Sequence, residues 1–282
     1  MGKSIEELQK IANQIRRDSL RMVHTNNSGH PGGALGCAEL FSALYFKVLN
    51  HDPNNFSLDG KDQDIFFLSN GHISAAWYSA LARSGYFSID ELSTFRSLGS
   101  RLQGHPSVDK NLPGIRIASG SLGQGISVAC GAALSKKLNN DKNLVYCLCG
   151  DGELQEGQIW EALIFAKSRK IDNLVTIIDY NGQQIDGPIK EVSDLGSLKS
   201  KFEAFDWIVL ETNGNELEQL LQTLDMAKSK TNKGKPIVII MKTEMGMGVD
   251  FMVGTHKWHG VAPNDEQLVN ALNQIGPQLE DY

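Results

Sequence analysis

The chain has 282 residues, 41% of them hydrophobic, and a formal net charge of −6 with acids and bases interspersed. That length suffices for a large α/β domain, and with no linker-like tract residues 1–282 read as a single domain. The charge pattern argues against a nucleic-acid partner, no apolar run reaches transmembrane length and Met1 to Glu7 lacks the form of a signal peptide, so a cytoplasmic protein is expected.

Ser4-Ile5-Glu6-Glu7 is a capping box, and the helix it opens carries Ile5, Leu8, Ile11, Ala12, Ile15, Leu20 and Val23 toward a core. The helix gives way to Ser28-Gly29-His30-Pro31-Gly32-Gly33, a polar loop in which His30 is either solvated or held against a ligand. Residues 34–49 are apolar on most faces and read as one buried helix; His51, just beyond it, reads as a surface residue. Residues 64–68 form a strand that runs into Ser69-Asn70-Gly71-His72, a turn opening a helix over 73–84. His72 therefore stands at a strand end, where bonding to backbone is its plainest role. Ser88-Ile89-Asp90-Glu91 is a second capping box, for a short helix to about residue 97. Residues 99–118 form a long loop containing Gly104-His105-Pro106; such loops are functional or disordered, and His105 favours function. Ser119-Gly120-Ser121-Leu122-Gly123-Gln124-Gly125 then opens a helix over 126–138, and its glycines suit tight packing as well as they suit a ligand.

The central stretch is the strand at 144–149, the turn Gly150-Asp151-Gly152-Glu153, a helix over 158–170 with Ile159, Ala162, Leu163 and Ala166 in helical spacing, and a second strand at 174–178 that leads to Asn181. Strand, turn, helix and strand close as a parallel crossover, so Asp151 and Asn181 belong at one sheet edge. A carboxylate and an amide oxygen are hard donors, suited to Mg²⁺ or Ca²⁺ rather than zinc. Gly150 and Gly152 let backbone approach a ligand, and the amides of the following helix start face the same point. A cation beside such amides is a receptacle for a diphosphate. Taken alone, a Gly-Asp-Gly turn is more simply read as a strand-end turn whose acid only caps a helix. The remainder alternates in the same way: a turn cluster at 181–188, a helix at 198–205, a strand at 207–210, a helix at 215–228, a strand at 236–241, the loop 245–260 with His256 and His259, and a helix at 264–275. His256 and His259 have a spacing open to a metal pair, but no third ligand follows. The fold class is α/β: a mostly parallel sheet, read as six strands, with helices on both faces and its ligand at the carboxyl edge. Cys37, Cys130, Cys147 and Cys149 lie in apolar runs and read as core residues of a reducing compartment.

Gly150-Asp151-Gly152 followed about thirty residues on by Asn181 resembles the thiamine-diphosphate signature, and its extension through Gly157 to Trp160-Glu161-Ala162 resembles transketolase. The motifs around His30, His105, Leu122 and Trp258-His259-Gly260 carry the resemblance over nearly the whole chain, with Ser121 standing where many members have proline. It implies the thiamine-diphosphate-binding fold, in its diphosphate-binding form. It implies Asp151, the Asn181 side chain and the Gln183 carbonyl as ligands of Mg²⁺ or Ca²⁺. His72, Gly120, Ser121, Leu122, Gly152, Glu153, Asn181 and His259 would bind the cofactor. His30 and His259 would handle substrate hydroxyls and protons, His72 and His105 the adduct, and Glu156 and Glu161 would sit at a subunit contact.

The implied activity is transfer of a two-carbon ketol unit from a ketose phosphate or related ketose to an aldose, as in pentose phosphate metabolism. Members also use a glutamate from a following domain to protonate the cofactor's pyrimidine. The sequence stops at Tyr282 without one, so the resemblance implies the N-terminal subunit of a split transketolase. A separate C-terminal subunit would be its partner, two of each forming a heterotetramer. Subunits of 1-deoxyxylulose-phosphate synthase or of a 2-oxo-acid dehydrogenase share the Asp151/Asn181 logic, though four histidines argue against the dehydrogenase. A non-catalytic diphosphate-binding subunit is the remaining alternative.

Overall fold

A computed structural model describes residues 2–276 and 278–282. The capping box forms as expected: Glu7 N–H donates to Ser4 Oγ (3.2 Å) and Ser4 N–H to Glu7 Oε2 (2.7 Å), starting α1 at Ile5–Thr25. Leu8, Ile11, Ala12, Ile15, Leu20 and Val23 are buried, but Ile5 is 41% exposed, because the first turn precedes the packed part of the helix. The helix expected over 34–49 is broken into α2 (Pro31–Gly36), α3 (Ala38–Ala43) and a π turn (Leu44–Val48). The break falls at Gly36, where an added Cβ would come within 2.9 Å of the Glu244 carbonyl; backbone from the far side of the sheet edge presses on the helix there.

The next elements are β1 (Ile65–Leu68), α4 (Ser74–Arg83), α5 (Gly125–Leu138), β2 (Val145–Gly150), α6 (Gly157–Ser168) and β3 (Leu174–Tyr180). A small antiparallel hairpin, β4 (Gln183–Gln184) and β5 (Gly187–Pro188), occupies the expected turn cluster. There follow α7 (Ile189–Val192), α8 (Leu198–Ala204), β6 (Ile208–Asn213), α9 (Leu217–Lys230), β7 (Ile237–Lys242) and α10 (Asp265–Gln274). Among the described residues five strands, not six, make the sheet, in the order β1-β2-β3-β7-β6. Every neighbouring pair is parallel. The short helix expected after residue 88 is a 3-10 turn, Ile89–Thr94; Ser88 Oγ accepts from Asp90 N–H, so the reciprocal box does not form.

Strand alternation divides the apolar residues between two cores. Phe66, Leu68, Tyr146, Leu148, Val175, Ile177 and Ile239 face α1, α3, α4 and α9. Ile65, Phe67, Val145, Cys147, Leu174, Ile178 and Val238 face α5, α6 and α8. Burial on both faces explains why these strands are continuous apolar runs. The four cysteines are buried and free, with Cys147 and Cys149 on one face and their sulfurs 3.9 Å apart. His51 is not a bare surface residue: it stacks on Tyr86 at 5.7 Å and bonds the Tyr86 hydroxyl and the Tyr45 carbonyl.

A parallel sheet sends every strand's carboxyl end to one edge. Asn70 and His72 follow β1, Asp151 follows β2, Asn181 follows β3 and Thr243 follows β7. Register pairs Gly150 with Asp179 and Tyr180 with Lys242, so these ends are level.

Candidate active site

Asp151, Asn181 and Gln183 line one cavity of about 210 Å³ at that edge, with His72, Leu122, Gly152, Glu153 and His259. Asp151 is 2% exposed; Gly152 N–H donates to its Oδ1 (2.8 Å) and Gly182 N–H to its Oδ2 (2.6 Å). Its capping role is thus real but small, since only a 3-10 turn, Gly152–Gln155, begins there, and α6 starts later, at Gly157. Behind Asn181 stands Asp179, also 2% exposed, whose Oδ2 accepts from Asn181 Nδ2 at 3.0 Å. The Thr243 hydroxyl and the Cys37 thiol also donate to Asp179. Asn181 Oδ1 accepts from Gln183 N–H at 2.9 Å, so the amide of Asn181 is held at both ends.

Burial, and next the neighbouring Asp179, push the Asp151 carboxyl up to about 8; burial likewise raises Asp179. Among the described residues neither carboxylate has a cationic side-chain partner. Two buried acids without a counter-charge are a strong electrostatic demand for a cation. Among the described residues no lysine or arginine lines the cavity to supply one. No group of three or more described His, Cys, Asp or Glu side chains is placed to hold a metal, and the donors at this edge are a carboxylate, an amide and a carbonyl. That set is chemically right for a hard cation. The glycines agree. A Cβ on Gly150 or Gly152 would meet protein atoms no closer than 3.7 and 3.4 Å, so protein packing does not demand glycine at either position. The space they leave opens on the cavity, where a ligand would need it. These residues fit a divalent cation carrying a diphosphate.

Glu153 does something else as well. It is 2% exposed and accepts from Gly123 N–H (2.8 Å), Gly150 N–H (2.9 Å) and the Ser69 hydroxyl. Gly125 N–H donates in turn to Ser69 Oγ at 3.1 Å. One carboxylate thus joins the ends of β1 and β2 to the 119–125 turn. The turn depends on glycine at Gly120 and Gly123, with φ of +127° and +84° and with His105 and Glu156 pressed against them. Leu122 is thereby set in the cavity wall, 37% exposed. Ser121 is exposed and outside the cavity lining; Gly120 lies against the His105 ring. Glu156 is an exposed rim residue, whereas Glu161 is exposed on α6 and does not reach the cavity.

The four loop histidines converge. His30 has its ring centroid 5.2 Å from His72, 5.9 Å from His105 and 5.6 Å from His259, and His72 is 5.0 Å from His259. Burial is the main cause of a lowered pKa at all four: His30 falls to about 4, His72 well below its ordinary value, and His105 and His259 also fall. The Arg96 charge adds to this at His30 and His105. Arg96 donates to Ser28 Oγ (2.9 Å) and to the Gly104 carbonyl (3.4 Å), tying the His30 and His105 loops together. Neutral imidazoles each keep one donor and one acceptor nitrogen, as proton transfer between hydroxyls requires. Nitrogen-15 spectra of the ligand-free chain at pH 6 are expected to show His30 and His72 as neutral tautomers; imidazolium shifts at that pH would contradict the burial argument.

The sequence reading missed Asn70, Asp179 and the Ser69–Glu153 brace. Asp179 left one signal, an acid inside an otherwise apolar strand. A larger groove of about 670 Å³ lies beyond β7 and β6, but Glu211, Glu216 and Glu244 line it with Lys242, a poor match for a diphosphate.

Residues 7–281 match the family model for transketolase, thiamine diphosphate binding domain. The chain is 37% identical over 276 residues to one of the subunits of an apulose-4-phosphate transketolase from Phocaeicola vulgatus, covering 98% of this chain and 96% of that protein. It is also 37% identical to a 6-deoxy-6-sulfo-D-fructose transketolase subunit of a Clostridium species, covering 95% and 96%. The crystal structure of Campylobacter jejuni transketolase superposes with a TM-score of 0.89 at 39% identity, over 98% of this chain but 44% of that one. The chain therefore spans less than half the length of that solved transketolase.

Proposed function

The chain belongs to the transketolase family, matching its thiamine-diphosphate-binding domain, and from that premise we propose that it is the cofactor-holding subunit of a two-chain transketolase. The observation that carries this is one sheet edge holding both an acid pair without counter-charge and four neutral histidines. Asp151, Asn181 and the Gln183 carbonyl would hold Mg²⁺ or Ca²⁺. Thiamine diphosphate, when bound there, would supply the chemistry of two-carbon ketol transfer. The chain's own residues hold the diphosphate through the cation, orient the substrate and move protons. Gly152, Glu153, His72 and His259, which line the cavity, would face the diphosphate, and Leu122, with Gly120 and Ser121 in its turn, would face the rings. His30 and His259 exchange protons with substrate hydroxyls, and His72 and His105 donate to oxygens near the reacting carbon.

Two named relatives act on phosphorylated apulose and on a sulfonated fructose. Among the described residues this cavity has no lysine or arginine, and Arg96 is the cation beside His30 and His105, so a partner chain would supply further cations for the anionic end of a comparable sugar. That partner would be a C-terminal transketolase subunit bearing the pyrimidine-binding glutamate, in a heterotetramer of two of each, with Glu156 and Glu161 at the contact. Residues 1–282 would act as one domain. Among the described residues no helix is long and apolar enough to cross a membrane, and four free thiols suit a cytoplasmic protein. The test is an assay with the partner present, offering a ketose phosphate with an aldose phosphate in one arm and pyruvate in the other. A product two carbons longer than the aldose is expected. Turnover confined to the pyruvate arm would favour a different thiamine enzyme.

A further inference from the structure

Asn70 is fully buried at 0% exposure, yet neither Nδ2 nor Oδ1 has a hydrogen-bond partner. Its backbone role is fulfilled without its side chain. It is the cap residue of the 3-10 turn Gly71–Ile73, but the side chain makes no capping bond. The amide instead stands in the cavity wall above the Gly150 turn: a Cβ on Gly150 would lie 3.7 Å from Asn70 Cβ and 3.9 Å from Nδ2. A primary amide carries two donor hydrogens and an acceptor oxygen, and burying all of them unmatched is strongly unfavourable. Leucine has the same branched shape and would remove that penalty. An asparagine kept unmatched beside a cavity is therefore waiting for the cavity's occupant.

We propose that Asn70 is a cofactor contact, its Nδ2 donating to the diphosphate and its Oδ1 accepting from water that enters with the cation. This rests on the placing of a diphosphate at Asp151 and Asn181 argued above. Diphosphate oxygens only accept, and cation-bound water donates, so a hydrated metal diphosphate matches both ends of an amide. A neutral donor is also the appropriate one here. A lysine at position 70 would pair with Asp151 and take the place of the cation, whereas an amide binds the anion without adding charge.

The test compares the unsubstituted chain with Asn70→Leu, each mixed with the partner subunit, by calorimetry with magnesium thiamine diphosphate and with magnesium pyrophosphate. Melting of the ligand-free chain is followed in parallel. Both probes should bind Asn70→Leu about 10- to 100-fold more weakly, the range for a hydrogen bond to a charged group. The ligand-free melting temperature should stay level or rise by up to about 4 °C. Affinity within about twofold of the unsubstituted chain, or a fall in the ligand-free melting temperature, would overturn the proposal. Asn70→Ala is titrated alongside, and loss of less than about threefold in affinity has the same meaning. Failure of the unsubstituted chain to take up either probe would instead bring down the diphosphate reading itself, and Asn70 with it.

Discussion

Asp151→Asn is expected to end cation-dependent binding of thiamine diphosphate while making the ligand-free protein more stable above neutral pH. A lost ligand and a gained stability rarely come from one substitution, and both follow from the same buried charge. The Asp151 carboxyl is pushed up to about 8 by burial and then by Asp179, from an ordinary value of 3.8. A pKa raised on folding gives a stability contribution that is complete below about pH 4 and is lost as pH rises toward 8. The histidines have the opposite sign. Their pKa values are depressed by burial, so their contribution is complete above 6.5 and is lost as pH falls, toward about 4 for His30. Between pH 6.5 and 8 the histidines are therefore silent and the acids dominate. Urea unfolding in the presence of a chelator should show stability falling across that window by up to about 2 kcal/mol, and Asp151→Asn should remove much of the slope. Burial also raises the carboxyls of Asp179 and Glu153. Magnesium with thiamine diphosphate should raise the melting temperature of the unsubstituted protein with its partner, in proportion to the logarithm of ligand concentration, and leave Asp151→Asn unmoved. An unchanged pH slope in the variant would show that Asp151 is not the buried charge described here.

Supplying the partner subunit is expected to produce the other large effect, taking ketol transfer from no measurable turnover to ordinary enzyme rates, a gain of at least about a thousandfold. None of the described residues covers the ring side of the site: Leu122 is 37% exposed, Ile185 63%, and Glu156 stands open at the rim. The histidines can shuttle protons between substrate oxygens, but the buried carboxylates of this edge are not free to protonate a pyrimidine. Asp151 accepts from Gly182 N–H, Asp179 accepts from Asn181 Nδ2, and Glu153 is held by three donors. A mixing series should reach maximal rate at equal amounts of the two chains. Turnover by this chain alone would contradict the split arrangement.

The central crossover was legible because β2 and β3 are short, doubly buried apolar runs with polar residues just past each end. Asp151 and Asn181 could be placed on one edge from that pattern alone. The histidines were less legible: His72 and the His259 loop could be placed past strand ends, but His30 and His105 follow no period, and only the resemblance brought all four together before the fold did. The break in the helix over 34–49 was hidden because a segment apolar on most faces has no clear stripe to interrupt. Asn70 was hidden by its context, since Ser-Asn-Gly-His reads as an ordinary turn and the missing hydrogen bonds are visible only in three dimensions. The Glu153 brace joins residues 30 and 84 positions away, beyond any local signal.

Titration of thiamine diphosphate into this chain with its partner, once with magnesium and once with a chelator, tests the central assignment most directly. The account predicts saturation at one cofactor per copy of this chain with the cation present, and no measurable heat without it. Equal binding in both titrations, or none in either, would contradict it.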